Sequence, residues 1–313
     1  MMKSEHSVTV AICTYNRAVY LPELVRALRN QVCDVPFDIL FINNNSSDNT
    51  LELLDKLSQQ PGIPIRTVTE TDQGIVHARN RAVEECIDCD FMLVMDDDEI
   101  PSPNWVDSAY NALKDGITDC VGGRVDVCFK DRARPNWLGD ELLGFLAETN
   151  YGDTAFTIKD DSTPVWTANI AYNMRIFKDN PELRFDSRYN REGDGVGGGE
   201  DVLMFNTILD RGHKVVYEPL MLVQHHVEAW RLKRRYFLKL HFTSGFKNAL
   251  HELPDYDRAV FGVPFFMLTQ LTRQFATTIF MAIFRQPKAL RQAMNASYAL
   301  GLIRGSYKRS HKK

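Results

Sequence analysis

No run in this 313-residue chain is long and apolar enough to cross a bilayer. The longest uncharged stretches lie within 259–284, where Arg273 interrupts them short of the roughly 20 residues a spanning helix needs. Cysteine is sparse: Cys13, Cys33, Cys86, Cys89, Cys120 and Cys128. The first apolar run, residues 8–13, is too short for a signal-peptide core and reads as a strand. Reduced thiols in a cytoplasmic protein are therefore expected. Cys86-Ile-Asp-Cys89 lacks a second ligand pair at zinc spacing, so it reads as a chance pair near a helix end. There is no internal repeat, no low-complexity tract and no GKS/T phosphate loop. The glycine-rich segment 193–199 does not follow a strand at dinucleotide-binding spacing, and reads as a flexible lid.

The charge is near balance, at −4 net, but unevenly spread. Residues 229–313 carry sixteen lysines and arginines against three acids, Glu252, Asp255 and Asp257, so an acidic body is joined to a basic tail. Such a tail either meets an anionic partner or forms a solvated helix surface.

The first hundred residues alternate between apolar runs and helical periodicity. Strands are predicted at 8–13, 38–43, 63–68 and 91–95, and helices at 19–31, 48–57 (capped by Ser46 and Ser47) and 75–86. Fully apolar strands separated by helices imply a parallel sheet covered on both faces, with ligands beyond the carboxyl ends of its strands. Further strands are predicted at 119–129, 165–173, 214–217 and 220–224, a helix at 200–211, and helical structure from 228 onward.

The strand ends carry the chemistry. The fourth strand runs into Met95-Asp-Asp-Asp-Glu-Ile-Pro101. Four successive carboxylates repel one another unless a cation neutralises them, and an all-oxygen set suits Mg²⁺ or Mn²⁺. An acidic surface turn is the plainer alternative, and the position at the ligand edge of the sheet weighs against it. The first strand ends in Thr14, Tyr15, Asn16 and Arg17, and the second in Asn43, Asn44, Asn45, Ser46, Ser47 and Asp48. These suit a nucleobase and ribose, although turn chemistry alone could account for the Asn/Ser run. On the residues alone, His225-His226 at a strand end reads as structural.

Taken in order, Ala11-Ile-Cys-Thr-Tyr-Asn-Arg17, Ile42-Asn-Asn-Asn-Ser-Ser-Asp-Asn-Thr50, Gly74-Ile-Val-His-Ala-Arg-Asn80, the acidic motif, Thr167-Ala-Asn169, Gly199-Glu-Asp201 and Val223-Gln-His225 resemble a family 2 glycosyltransferase across roughly residues 7–230. The Pro135-Asn-Trp137 turn and the GGGED run narrow the resemblance towards the glucosyltransferases of succinoglycan-type exopolysaccharide assembly. The resemblance implies an α/β GT-A nucleotide-sugar-binding fold, doubly wound and mostly parallel, over residues 1–228, with a basic helical extension at 229–313. It implies an inverting, metal-dependent enzyme using Mn²⁺ or Mg²⁺. Asp98 and Asp96 would be metal ligands, with His225 near the metal or diphosphate. Thr14, Tyr15, Asn16, Arg17, Asn43, Asn44, Arg79, Asp96, Asp97, Asn169 and Glu200 would line the donor and acceptor, and Asp201 would be the catalytic base. The family usually has Asp where Asn43 stands, which loosens the inference that the donor is uridine-linked.

An apolar segment beside a basic one, with eight Lys/Arg and no acid in 285–313, suits an interfacial helix at the inner face of the cell membrane, where a lipid-linked glycan acceptor is expected. A helical hairpin packed on the catalytic domain is the alternative. No nucleic-acid partner is expected. Two other functions remain open: a sugar-1-phosphate nucleotidyltransferase, which would want a Gly-rich loop where Cys13-Thr-Tyr-Asn-Arg17 stands, and an inactive scaffold of a glycan assembly complex.

Overall fold

The computed structural model describes residues 6–129, 133–191, 195–254 and 256–311. Residues 193 and 194 of the expected lid, and Asp255, Lys312 and Lys313 of the tail, lie outside them. The chain divides into two compact units, one of Met1–Gly193 and Glu200–Val227, the other of Asp194–Gly199 and Glu228–Lys313.

In the first unit the order is β1 (Val8–Thr14), α1 (Leu21–Arg29), β2 (Phe37–Asn43), α2 (Thr50–Ser58), β3 (Ile65–Thr69), α3 (Ile75–Glu85), β4 (Phe91–Asp96), β5 (Glu99–Pro101), α4 (Trp105–Leu113), β6 (Cys120–Cys128), β7 (Phe156–Ile158), β8 (Asn169–Asn173), α5 (Arg175–Lys178), α6 (Glu200–Asp210) and β9 (Val215–His226). They build a nine-stranded sheet in the order β3-β2-β1-β4-β8-β6-β9-β5, with β7 beside β9. Strands β3, β2, β1 and β4 are parallel, and β8 joins β4 antiparallel. This is the α/β fold with a parallel sheet expected from the alternation, with a mixed second half that the pattern did not disclose.

Strand alternation sorts the core into two layers. Val8, Val10 and Ile12 meet α1, α2 and α4 on one face, and Ala11, Leu40 and Ile42 meet α3 and α6 on the other. Leu21, Leu24 and Leu28 of α1 are fully buried, each worth about 1.5–3 kcal/mol of apolar transfer.

Three local expectations are corrected. Ser46 and Ser47 do not cap α2: Ser46 Oγ accepts the Asn16 amide, the Ser47 amide donates to Asn16 Oδ1, and Asp48 Oδ1 takes the Thr50 amide instead. Strand β8 begins at Asn169, not at 165. The two short strands at 214–224 are one strand, β9, whose register against β6 jumps from Glu218 at Gly123 to Leu222 at Arg124. That bulge brings Met221 O to 1.9 Å from where a Cβ on Gly123 would stand, so only glycine fits there.

The second unit holds α7 (Arg234–His251), the short hairpin β10 (Ala259–Val260) and β11 (Val263–Pro264), α8 (Phe265–Ile283) and α9 (Ala289–Ser310). Helices α7 and α9 touch backbone to backbone: a Cβ on Gly301 would lie 2.1 Å from Phe242 O, and one on Gly245 2.2 Å from Tyr298 O. Helix α8 buries Met267 and leaves Phe275, Ile279, Phe280, Ile283 and Phe284 exposed. No described helix is long and apolar enough to cross a membrane.

Candidate active site

Parallel register gathers the site. Thr14 at the end of β1 is level with Asn43 of β2, and Cys13 is level with Asp96 of β4, so three carboxyl-terminal ends open on one edge. Strand β9 reaches the same edge through β5, where Glu99 pairs with His225.

Several polar side chains expected to meet a ligand are occupied by the protein. Asn44 donates to Glu70 O (3.3 Å) and Asp72 O (2.8 Å), while its Oδ1 accepts from the Gly74 amide (2.7 Å) and Gln73 Nε2 (3.3 Å). A carboxamide has two donors and two lone pairs, so Asn44 has none to spare. Asn169 is engaged in the same way. It is buried, it donates to Arg124 O and Met221 O at 2.8 and 2.7 Å, and its Oδ1 accepts the Trp105 indole at 2.8 Å. It ties β8 to β6, β9 and α4. Asn16, at φ 54°, uses its carboxamide to hold the 46–48 turn and stays exposed. Asn43 is buried, and its Oδ1 accepts the Ser46 amide at 3.2 Å. Thr14 is buried and Tyr15 half-buried beside it.

The acidic turn splits into distinct roles. Asp96 is the open member, with 41% of its side chain exposed. Asp97 and Asp98 are buried, with Arg17 reaching both: Nε lies 3.6 Å from Asp97 Oδ1 and Nη2 3.7 Å from Asp98 Oδ2. Burial, and then the neighbouring Asp98, push the Asp97 carboxyl up to about 7, with Arg17 opposing. Glu99 belongs to the interior. It is fully buried, its Oε2 accepts the Asp96 amide at 3.1 Å, and burial followed by Asp96 and Asp98 holds its carboxyl well above the usual range. The cluster is thus three carboxylates and one internal acid, a division visible only once β5 pairs with β9.

His225, also buried, faces this turn. Its Nδ1 lies 2.8 Å from the Leu146 carbonyl, and its Nε2 3.7 Å from Asp98 Oδ1. A carbonyl accepts only, so in the neutral ring Nδ1 carries the proton and Nε2 presents its lone pair. Nothing in the sequence pointed to Leu146. Among the described residues no three His, Cys, Asp or Glu side chains are grouped so as to hold a metal ion by themselves. Carboxylate oxygen and imidazole nitrogen facing each other fit a divalent ion whose shell is completed from outside the protein.

The Glu200-Asp201 pair joins the turn through Arg79. This buried guanidinium donates from Nη1 to Glu200 Oε1 at 2.8 Å, and its Nη2 lies 3.6 Å from Asp96 Oδ1. Burial alone would lower its pKa; Glu200, then Asp96 and Asp201, more than reverse that and raise it. Asp201 is the second residue of α6, with Oδ1 accepting the Val202 amide at 2.9 Å. Burial, then Glu200, push its carboxyl up to about 6, with Arg79 opposing. The arrangement presents a carboxylate of raised basicity and an acidic, metal-competent turn, linked by one arginine.

Residues 9–180 match the sequence profile of Glycosyl transferase family 2. The dolichol-phosphate mannosyltransferase of Pyrococcus furiosus is 29% identical over 118 residues, 37% of this chain. The match spans about a third (33%) of that relative's own length. Among solved structures, the mannosyltransferase PcManGT of Pyrobaculum calidifontis, in complex with GDP-Man and Mn2+, superposes with a TM-score of 0.61 at 16% identity, covering 96% of this chain and 87% of that one. S. aureus TarS (1–349) in complex with UDP-GlcNAc gives 0.55 at 16% identity, over 96% and 91%.

Proposed function

Because this chain belongs to Glycosyl transferase family 2 and is a glycosyltransferase, we propose that it is an inverting, metal-dependent enzyme that moves a sugar from a nucleotide donor, uridine-linked in our reading, to a hydroxyl of a lipid-linked glycan in surface polysaccharide assembly. The observation that carries this is Arg79, which spans the acidic turn at Asp96 and the Glu200-Asp201 pair.

In this reading the acceptor hydroxyl gives its proton to Asp201. An acceptor hydroxyl is a poor nucleophile, and a positioned base is typically worth roughly 10²–10⁴ in rate. With a carboxyl near 6, Asp201 is a stronger base than an ordinary aspartate yet still ionised at neutral pH. Arg79 neutralises Glu200 and fixes it beside the base. Attack from the face opposite the leaving diphosphate inverts the anomeric centre. Asp98 and His225 would hold Mn²⁺ or Mg²⁺, with Asp96 alongside, and the nitrogen donor suits Mn²⁺ better. When bound, the ion supplies charge neutralisation to the departing diphosphate. Arg17, which now covers Asp97 and Asp98, would turn to the diphosphate, and Thr14, Tyr15 and Asn43 would frame the nucleoside. The relatives' donors, GDP-Man and UDP-GlcNAc, support a nucleotide sugar and leave the base to be tested.

The exposed aromatic face of α8, followed by the basic stretch from Arg285, supports peripheral attachment to the inner face of the cell membrane. Nucleoside diphosphate release from UDP-sugars, with Mn²⁺ and with chelator, tests the reading: metal-restored release supports it, and full turnover in chelator contradicts it.

A further inference from the structure

The guanidinium of Arg79, buried on α3, makes one short hydrogen bond among the described residues, from Nη1 to Glu200 Oε1 at 2.8 Å, while Asp96 Oδ1 stands 3.6 Å from Nη2. A head group held by one short bond could pivot about it. What meets it is the ring of Phe185: the guanidinium carbon lies over that ring, 5.7 Å from its centroid. This is within the roughly 6 Å over which an aromatic face attracts a cation, and the attraction is strongest away from water. A planar, weakly hydrated guanidinium suits such stacking. Phe185 is itself buried, in the apolar layer that includes Ala82 of α3 and Met204 and Phe205 of α6.

The ring is anchored to the helix that carries the cation. Asn80, the neighbour of Arg79, donates from Nδ2 to Phe185 O at 2.9 Å and accepts the Phe185 amide on Oδ1 at 2.8 Å. One carboxamide thus pairs with both backbone groups of Phe185, as an adjacent strand would. Further along, Asn190 Oδ1 accepts the Val76 amide at 3.2 Å, its Nδ2 donates to Gln73 O at 3.0 Å, and the Ile75 amide donates to Arg191 O at 3.1 Å. Residues 185–191 are therefore strapped along the first half of α3. Core packing alone asks for a bulky apolar side chain at 185. It does not ask for a ring face turned to a buried cation, nor for two side-chain bonds to that residue's backbone.

We propose that Phe185 is a positioning residue for transfer: its ring, locked by Asn80, holds the Arg79 guanidinium in register between the acidic turn and the Glu200-Asp201 pair. This rests on the glycosyl-transfer reading above and adds a residue that touches neither donor nor acceptor. The charged groups facing Asp201 are Glu200, Arg79 and Asp96, and the Tyr172 phenol, which also feels Asp201, is kept neutral by burial. Burial and then Glu200 raise the Asp201 carboxyl, and Arg79 opposes them. A guanidinium free to swing leaves Asp201 harder to ionise, and the base acts only when ionised.

The test is the pH profile of turnover by the full chain, with Mn²⁺, donor and acceptor saturating, for Phe185→Leu, Phe185→Tyr and Asn80→Ala. Leucine keeps an apolar side chain and removes the ring face. Phe185→Leu should move the rising limb upward from about 6 by about half a pH unit or more. Turnover should then fall about threefold on the acid side and meet the wild type at high pH. Phe185→Tyr, which retains the ring, should return the wild-type midpoint, and Asn80→Ala should shift it in the same direction as leucine, which carries the test if Phe185→Leu does not fold. A rate lowered equally at every pH, with the midpoint unmoved, makes Phe185 a packing residue and overturns the proposal, as does a tyrosine variant shifted as far as leucine. Carbon NMR titration of the Asp201 carboxyl in metal-free protein, assigned with Asp201→Asn, reads the same shift without turnover. A raised Asp201 in Phe185→Leu, in a chain whose wild type transfers no sugar, keeps the contact and sinks the transfer reading. Wild-type transfer with Asp201 unmoved in Phe185→Leu sinks only the positioning role.

Discussion

Nε2 of His225 lies 3.7 Å from Oδ1 of Asp98, and its orientation is fixed from the far side by the Leu146 carbonyl. A backbone carbonyl that sets the tautomer presents the bare nitrogen to the carboxylate, as in metal sites where an outer partner orients a histidine. His225→Gln should weaken Mn²⁺ binding, measured by calorimetry with nucleoside diphosphate present, by about tenfold or more. Asp98→Ala should abolish it. Unchanged Mn²⁺ affinity in both variants counts against this pair as ligands.

Asn169 is expected to matter for stability and not for the donor. Asn169→Ala strands the Trp105 indole N–H and two strand carbonyls in the interior. Each unsatisfied buried group costs about 1–3 kcal/mol, so a loss of roughly 3 kcal/mol or more is expected. Denaturant unfolding measures it, and calorimetry on the folded fraction should return near wild-type donor affinity. A stable variant that has lost donor binding reverses the assignment.

How far the sequence could be read is clearest in such residues. The strands β1, β2 and β4 are legible because burial on both faces leaves nearly unbroken apolar runs, and the acidic turn is legible because its position at a strand end follows from them. Asn44 and Asn169 looked like ligand contacts because strand-end asparagines serve both purposes. Their roles are set by partners distant in the chain, 64 residues away for Trp105 and Asn169. The Arg79–Glu200 link joins residues 121 apart and leaves no local pattern. Strand β9 was hidden because its bulge around Pro219 interrupts the period-2 signal.

Asp97 should make stability pH-dependent in metal-free protein. Its folded carboxyl is raised to about 7, against about 3.9 when unfolded. Between those values the folded state holds a proton that the unfolded state has lost, so stability falls as pH rises through this window. Asp97→Asn removes the penalty. In chelator at pH 8 it should gain about 1–2 kcal/mol, raising Tm by roughly 2–6 °C, and the gain should vanish near pH 4. A lower Tm at pH 8 contradicts the electrostatic account of the turn.

The exposed face of α8 should govern membrane attachment. Phe280→Ser/Ile283→Ser/Phe284→Ser in the full chain removes three of its most exposed apolar side chains. In sedimentation with anionic vesicles, the wild type should pellet at low salt and partly release at high salt, since charge supplies part of the attraction. The triple variant should remain largely in the supernatant. Equal partitioning of both proteins favours a partner other than lipid for this face.

The most direct test of the central claim is nucleoside diphosphate release by Asp201→Asn, with Mn²⁺, donor and acceptor saturating, against wild type and Glu200→Gln. Asparagine keeps the shape of Asp201 and removes its basicity. Turnover should fall by about two to four orders of magnitude, with donor affinity within about threefold of wild type. The wild-type rate should climb as pH rises through about 6 and then level, because the base acts only when ionised. Near wild-type turnover by Asp201→Asn, with Glu200→Gln inactive, would contradict Asp201 as the base.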